Sequence, residues 1–375
     1  MFLEVHLLQN FALSNLNRDD TGAPKSCIFA GTRRARISSQ CLKRAVRTVV
    51  REEQLVPSEN LAYRTKKIVD LLSRRLIEKN LESEQAKLVA LNAIEGIGFE
   101  INKDKTKYLL MIGEQEIKKL AELCMDNLDK LNFVREEKKK ASLDSKLAKE
   151  LLSVLDGGNA VDMALFGRMI ADHADKNIDA AVQMAHALST NVIANEFDFF
   201  SAVDDLQLRS DESGAGAAHI DTMLYNSSCY YRYANVDISQ LLFNLGNKAD
   251  LTQQAINAFI EGMVKAVPTG KQTSAAAQNP PAFILCTVRD VGLWSLANAF
   301  TTPVGARYQE DMVTSSAEKL TKHWNQLIGL YGPTGIVYSG YATYLEGLGK
   351  PENLSRESNF SELKKRVLEA VQFEN

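Results

Sequence analysis

Eight cations stand in one stretch of this chain without a counter-charge. Between Lys25 and Arg51 lie Lys25, Arg33, Arg34, Arg36, Lys43, Arg44, Arg47 and Arg51 and no acid, a charge of +8 over 27 residues. Guanidinium groups take phosphate oxygens two at a time through a planar fork, whereas lysine offers a point charge. Arg33, Arg34 and Arg36 lead into a helix that Ser38 or Ser39 caps, and the N–H groups at a helix start donate hydrogen bonds to anions. Ser38, Ser39 and Gln40 add short neutral donors at the same place. So many cations repel one another unless an anion lies among them. The window therefore reads as a phosphate-binding surface, with a solvated basic helix face as the bland alternative.

Other chemistry-bearing residues are less complete. The whole chain carries −3, which leaves −11 outside the basic window, and residues 196–212 alone hold six acids against Arg209. A mildly acidic chain with one basic window can hold a polyanion locally without binding everywhere. Asp19-Asp20 and Asp204-Asp205 could serve a metal or act as bases, but no histidine or third carboxylate completes either site. Turn capping and partner contacts are the simpler reading. Five single cysteines, Cys27, Cys41, Cys124, Cys229 and Cys286, form no C-x-x-C pair, and the five histidines are scattered. No metal, cofactor or catalytic group is expected, and the thiols read as reduced and packed. His186 reads as a core or interface histidine. Tyr231 and Tyr233 could stack bases, but the aromatic-glycine signature of base-stacking sheets is missing, so packing is preferred. The loop Gly270-Lys271-Gln272-Thr273-Ser274 offers a cation and backbone donors without the Walker spacing.

The elements that must position these residues can be read from periodicity. The chain has 375 residues, 45% hydrophobic and 24% charged, enough for two or three units with sizeable cores. No uncharged apolar run reaches membrane-spanning length, and the start lacks a basic n-region, so neither a membrane helix nor a signal peptide is expected. A cytoplasmic setting follows as an expectation. Residues 2–9 predict a strand, 10–37 a long connection, and 38–53 a helix with Leu42, Ala45, Val46 and Val49 on its apolar stripe. Residues 58–156 predict a helical insertion. Residues 160–169, 180–190, 228–237 and 282–288 predict strands; about 250–266, 308–330 and 360–371 predict helices. Without the insertion the order is strand–helix–strand–strand–strand–helix–strand, close to a ferredoxin-like core with one extra strand.

Several motifs in order resemble one family. The segments 14–25 (SNLNRDDTGAPK) and 28–47 (IFAGTRRARISSQCLKRAVR) are similar to the N-terminal signature of the CasC family, the backbone subunits of the type I-E CRISPR surveillance complex, Cascade. The resemblance continues through VDMALFGRM at 161–169, AHALST at 185–190, FFSAVDDL at 199–206, YYRYANV at 230–236, GKQTSAAAQNP at 270–280 and LANAF at 296–300. Ser26-Cys27 and Ala30-Gly31 depart from the family's usual residues, and the loop after Leu206 is longer and more acidic than usual.

The resemblance implies an α+β fold with an RRM-like (ferredoxin-like) palm at 1–57, 157–195 and 226–305. It adds helical fingers at 58–156, a protruding β-hairpin thumb at 196–225, and a C-terminal helical extension at 306–375 packing on the palm. It implies a non-catalytic subunit that binds CRISPR RNA, stacks head to tail with its own copies, meets other Cascade subunits and presents the guide to target DNA. Arg18, Lys25, Arg33, Arg34, Arg36, Ser38, Gln40, Lys43 and Arg47 would hold the RNA backbone. Arg168 and Met169 would support a kink in it, Lys271 and Gln272 would make a second contact, and Phe199, Phe200 and Val203 would form the duplex wedge. The alternative is a metal-dependent ribonuclease of a related effector that uses Asp19 or Asp20.

Overall fold

The computed structural model describes residues 1–133, 143–203, 217–305, 311–349 and 351–373, with backbone alone at 201–203 and 217–221. The fold is mixed α+β and divides into two compact units. One comprises Met1–Val49, Gln183–Asn235 and Phe259–Glu374; the other comprises Val50–Val182 and Val236–Ala258.

The first unit is organised by a sheet. Its opening strands are β1 (Phe2–Ser14), β2 (Ser26–Phe29) and β3 (Thr32–Ile37), followed by helix α1 (Ser39–Glu52). β1 lies between the strands Phe283–Arg289 and Ala217–Asp237; beyond the latter come Ala187–Ser189, then β3, then β2 at the edge. Val5 sits opposite Cys286 and Arg36 opposite Leu188, both in antiparallel pairs. On the far side, Ile336–Thr343 extends the sheet antiparallel to Phe283–Arg289, and Ser355–Arg356 adds a short parallel strand.

One core is formed by Leu8, Tyr231, Tyr233, Phe283 and Leu285 against Leu296, Phe300, Val313, Ala317, Leu320 and Trp324. The apolar residues of the helix Met312–Tyr331 recur every three or four positions, and Asp311 caps its start by accepting the N–H groups of Val313 and Thr314. The two tyrosines therefore pack, as preferred. Their hydroxyls are paired with polar groups of β1. Tyr233 donates to Glu4 at 2.8 Å, and Arg289 pairs with the same carboxylate at 2.7 Å. Tyr231 accepts the N–H of Leu296 at 2.8 Å and stands 2.8 Å from Nδ1 of His6. Buried polar groups need such partners, because an unpaired one forfeits its hydration.

The second unit packs the helices Ile68–Glu78, Ser83–Gly96, Glu114–Asp126 and Ser145–Ser153 around a core containing Leu72, Val89, Ile94, Leu120 and Leu151. Two small antiparallel pairs accompany them: Ala62–Thr65 with Leu110–Gly113, and Ile101–Asn102 with Lys105–Thr106.

Two expectations from periodicity and one from the resemblance need correction. The connection expected at 10–37 is mostly strand: β1 runs on to Ser14, and β2 and β3 form a hairpin whose turn, Ala30-Gly31, has φ of +47° and +78°. The stretch 160–169 is not a strand but holds the helix Val161–Phe166, ended by Gly167 at φ +80°. Its residues are buried almost throughout, so the sequence shows no polar face and its period cannot be read. The region after 305 is not purely helical, since Ile336–Thr343 joins the main sheet. The strand expected at 180–190 is present in two pieces, Val182–Met184 and Ala187–Ser189.

His6 generates a prediction about acid. Burial, aided by the Arg289 charge, pushes its pKa from 6.5 down to about 3. Between these values the unfolded chain binds a proton that the folded chain refuses. Stability present above pH 6.5 is therefore lost as pH falls, by up to about 1.4 kcal/mol per pH unit. Urea midpoints should fall more steeply from pH 6.5 to 4.5 in the native chain than in a His6→Gln variant. Parallel pH profiles would show that His6 is not a buried neutral imidazole.

Candidate nucleic-acid interface

The loop between β1 and β2 is held from both ends by asparagine side chains. Asn15 Nδ2 donates to the carbonyls of Gly22 at 3.0 Å and Leu224 at 2.9 Å. Asn17 accepts the N–H of Ser38 on its side chain at 2.8 Å, and the N–H of Lys25 on its backbone carbonyl at 2.8 Å. Asp19 closes the tip. Its Oδ1 accepts the hydroxyl of Thr21 at 2.7 Å and the N–H groups of Thr21 at 3.0 Å and Ala23 at 3.1 Å. Those bonds, led by the Thr21 hydroxyl, hold its carboxyl below the ordinary range. Asp19 is thus the turn cap that its sequence context suggested.

This pinned loop meets the start of α1. Ser38 accepts the N–H of Leu42 on its carbonyl at 3.1 Å and that of Cys41 on its hydroxyl at 3.4 Å, so it is the cap. At 100° per residue, Gln40, Lys43, Arg44 and Arg47 share one face of the helix. Gln40 and Arg44 are exposed; Lys43 and Arg47 are half-buried, and burial lowers the Lys43 pKa. Arg18 and Arg33 are exposed, and Lys25 and Arg36 half-buried. Arg33 donates to the hydroxyl of Ser26 at 3.0 Å, and Arg36 lies 3.0 Å from Nδ1 of His186. His186 is therefore a surface partner of Arg36 and not a core histidine. Its pKa is lowered by partial burial and then by the nearby Arg36 and Lys25 charges. Arg18, Lys25, Arg33, Arg36 and Arg44 form no ion pair among the described residues.

The segment 268–277 closes the cradle. A Cβ on Gly270 would stand 2.5 Å from the carbonyl oxygen of Leu16 and 2.7 Å from that of Asn15, so only glycine lets the two backbones meet. Lys271 follows, half-buried, with φ of +52°. Gln272 commits its amide N–H groups to the carbonyls of Pro268 at 3.0 Å and Ala277 at 3.2 Å, so it shapes its own loop. Tyr225 and Ser274 join hydroxyls at 3.2 Å, fastening this loop to the strand Ala217–Asp237.

Two arginines expected at the RNA lie inside instead. Arg34 has no exposed surface. It donates to the carbonyls of Ser189 at 3.0 Å, Thr190 at 2.8 Å and Phe300 at 2.7 Å, and to the hydroxyl of Thr32 at 2.8 Å. Its donors are thus engaged in joining β3 to the segments 189–190 and 296–300. In the second unit Arg168 is buried on Glu116 at 2.7 Å and also donates to Leu155 and Lys176 carbonyls. Its neighbour Met169 is 80% exposed.

The strand Glu196–Val203 pairs antiparallel with 217–225, with Phe199 opposite Thr222 and Val203 opposite Ala217. Phe199 is 68% exposed, Phe200 half-buried on the other face, and Phe197, which the sequence reading passed over, is 76% exposed. The alternation in Glu196-Phe197-Asp198-Phe199 was the available signal for Phe197. The side chain of Val203, the pair Asp204-Asp205 and the small-residue tip at 213–216 lie outside the described residues. Among the described residues no three His, Cys, Asp or Glu side chains group as a metal site, and no helix is long and apolar enough to cross a membrane.

Comparison with known proteins agrees with the motifs. A chain from a CRISPR RNA-guided surveillance complex, pre-nicking, matches with a TM-score of 0.88 and 29% identity, over 99% of this chain and 100% of that one. A chain from a second CRISPR RNA-guided surveillance complex matches with a TM-score of 0.77 over the same shares, and at 24% identity it shows the fold alone. No curated protein matches the sequence. The model of the CT1975-like protein family covers residues 3–366, and with the 0.88 match it bears out the resemblance to Cascade backbone subunits. The chain belongs to the CT1975-like family.

Proposed function

We propose that this chain is a non-catalytic backbone subunit of a CRISPR surveillance complex. It clamps guide RNA by its phosphates, stacks head to tail with copies of itself along the RNA, and presents the bases to target DNA. The observation that carries this reading is the cradle of Arg18, Lys25, Arg33, Arg36 and Arg44 around the start of α1, built on carbonyl and amide contacts, whose five cations form no ion pair among the described residues. The matched chain comes from an RNA-guided complex, which makes guide RNA the polyanion and other subunits the partners. Phosphate and 2′-hydroxyl contacts accept any guide sequence.

The architecture supports the same reading. The neighbour order Phe283–Arg289, β1, Ala217–Asp237, Ala187–Ser189, with α1 and Ala249–Lys265 as the connecting helices, fits an RRM-like palm. The helices of 58–156 then serve as fingers. The hairpin begun at Glu196 serves as thumb, with Phe197 and Phe199 as apolar wedge residues. Palm and thumb surfaces of opposite charge suit a heterologous contact that repeats without closing, so the RNA sets the length. The ribonuclease reading is weaker, since Asp19 is held as a turn cap.

Guide affinity should fall with salt along a log–log slope of about −0.7 per phosphate neutralised. Replacing Arg33 and Lys43 with alanine should flatten that slope by roughly 1–2 units for every guide alike. Arg34→Met should instead lower the melting temperature and leave the slope of the folded protein as it was. Guide-dependent losses at constant slope would argue against phosphate clamping.

Incubated with RNA or DNA and Mg²⁺ or Mn²⁺, the purified chain should leave both intact. Metal-dependent cutting that vanishes in Asp19→Ala or Asp20→Ala would restore the nuclease reading.

A Phe197→Ser/Phe199→Ser variant should keep its melting temperature and guide affinity, because both rings face solvent. It should lose stable target pairing in the assembled particle by about tenfold or more. Normal target capture by this variant would remove the hairpin's wedge role.

A further inference from the structure

Among the described residues four arginines are buried: Arg34, Arg168, Arg232 and Arg289. Three have their charge answered. Arg34 is ringed by carbonyls and a hydroxyl, Arg168 pairs with Glu116, and Arg289 pairs with Glu4. Arg232 has no exposed surface and forms no ion pair among the described residues. Its Nη1 donates to Oε1 of Gln9 at 2.5 Å and to the carbonyl of Ala266 at 3.3 Å. Its Nε and Nη2 have no acceptor among the described residues.

The surroundings offer that charge little. Tyr231 and Tyr233 belong to the core against Trp324, so alternation along Ala217–Asp237 puts Arg232 on the opposite face of the sheet. On that face Tyr230 packs edge-on against Phe11, with 5.9 Å between ring centres. Gln9, Phe11, Tyr230 and Ala234 are all buried. The amide of Gln9 donates to the carbonyl of Asn279 at 2.7 Å, which turns its oxygen toward Arg232.

The two unpartnered groups are not scattered. Nε–H and Nη2–H lie parallel on one edge of the guanidinium plane, the fork with which arginine takes anions. Burial alone pushes the Arg232 pKa from 12.5 down to about 10, so the group keeps its charge at neutral pH. A charge held in an apolar interior without a counter-charge is strongly destabilising.

We infer that the Nε–Nη2 edge of Arg232 holds a small monovalent anion, such as chloride, inside the first unit. One negative charge neutralises one guanidinium, whereas a phosphate or sulfate dianion would leave net charge buried. The fork is set only where Gln9 and the Ala266 carbonyl hold the other side of the guanidinium, so the ion binds the folded chain alone.

The test is a thermal-melt titration of the full chain at constant ionic strength, exchanging sodium gluconate for sodium chloride. A ligand of the folded state raises the melting temperature along a saturable binding curve. The expected rise is about 2–4 °C in the native chain. It should be absent in Arg232→Met, which removes the charge and keeps an apolar stem. Crystals of the native chain grown with sodium bromide supply a readout that does not depend on this variant folding. They should show an anomalous peak within hydrogen-bonding reach of both Nε and Nη2. The inference is overturned by equal melting in the two salts, by the same rise in Arg232→Met, or by a water molecule at the fork in the bromide crystals. Bromide at the fork without the shift in solution would also overturn it, as an adventitious ion only. None of these readouts involves nucleic acid, so they stand apart from the guide-clamp reading.

Discussion

A buried guanidinium with no carboxylate beside it is stable only where the backbone gathers enough oxygen atoms around it. Arg34 meets that condition with three carbonyls and a hydroxyl. The carbonyls come from the end of one sheet strand and from the turn Leu296–Phe300, segments far apart in sequence. Their spacing fixes where β3 must run and therefore how the residues on either side of Arg34 are displayed. Arg33, on the opposite face of the strand, reaches outward because Arg34 is anchored inward. The exposed cations of this surface are organised by a cation that has no exposed surface of its own.

The same economy of charge explains why the cradle is built from neutral groups. Asn15, Asn17, Ser38 and the Gly270 contact supply the framework without a carboxylate that would neutralise the exposed cations. Where carboxylates do occur nearby, as at Asp19, they are turned into local backbone acceptors. On the proposed function, residual repulsion among the cations would be relieved by a bound polyanion, which would couple order at the surface to occupancy. The net negative charge of the rest of the chain keeps the molecule from binding nucleic acid everywhere.

The legibility of the sequence followed the physics of each segment. α1 was visible because its stripe and its cationic face differ in polarity. The clamp was visible as charge density, but its inner arginine was not, because Arg33, Arg34 and Arg36 look alike until the strand they occupy is known. The helix Val161–Phe166 was mistaken for strand because burial on all sides leaves no period to measure. β2 and β3 were hidden by their polar residues and by Ala30, which holds a left-handed backbone usually given to asparagine or glycine. Arg168 was assigned from motif alone; its partner Glu116 lies 52 positions away, and no local pattern reveals such a pair. The asparagines that hold the loop were overlooked because a side-chain amide carries no charge signal.

Asn15 has one amide group and two destinations, the carbonyl of Gly22 in the clamp loop and that of Leu224 at the root of the hairpin. On the proposed function, the grip on the guide and the arm that reaches along it would therefore be graduated on a single part. In a stack of such subunits the interval between grip and arm would be machined into every copy before assembly begins. Looseness at the joints between copies would then shift whole divisions of the scale without altering their length.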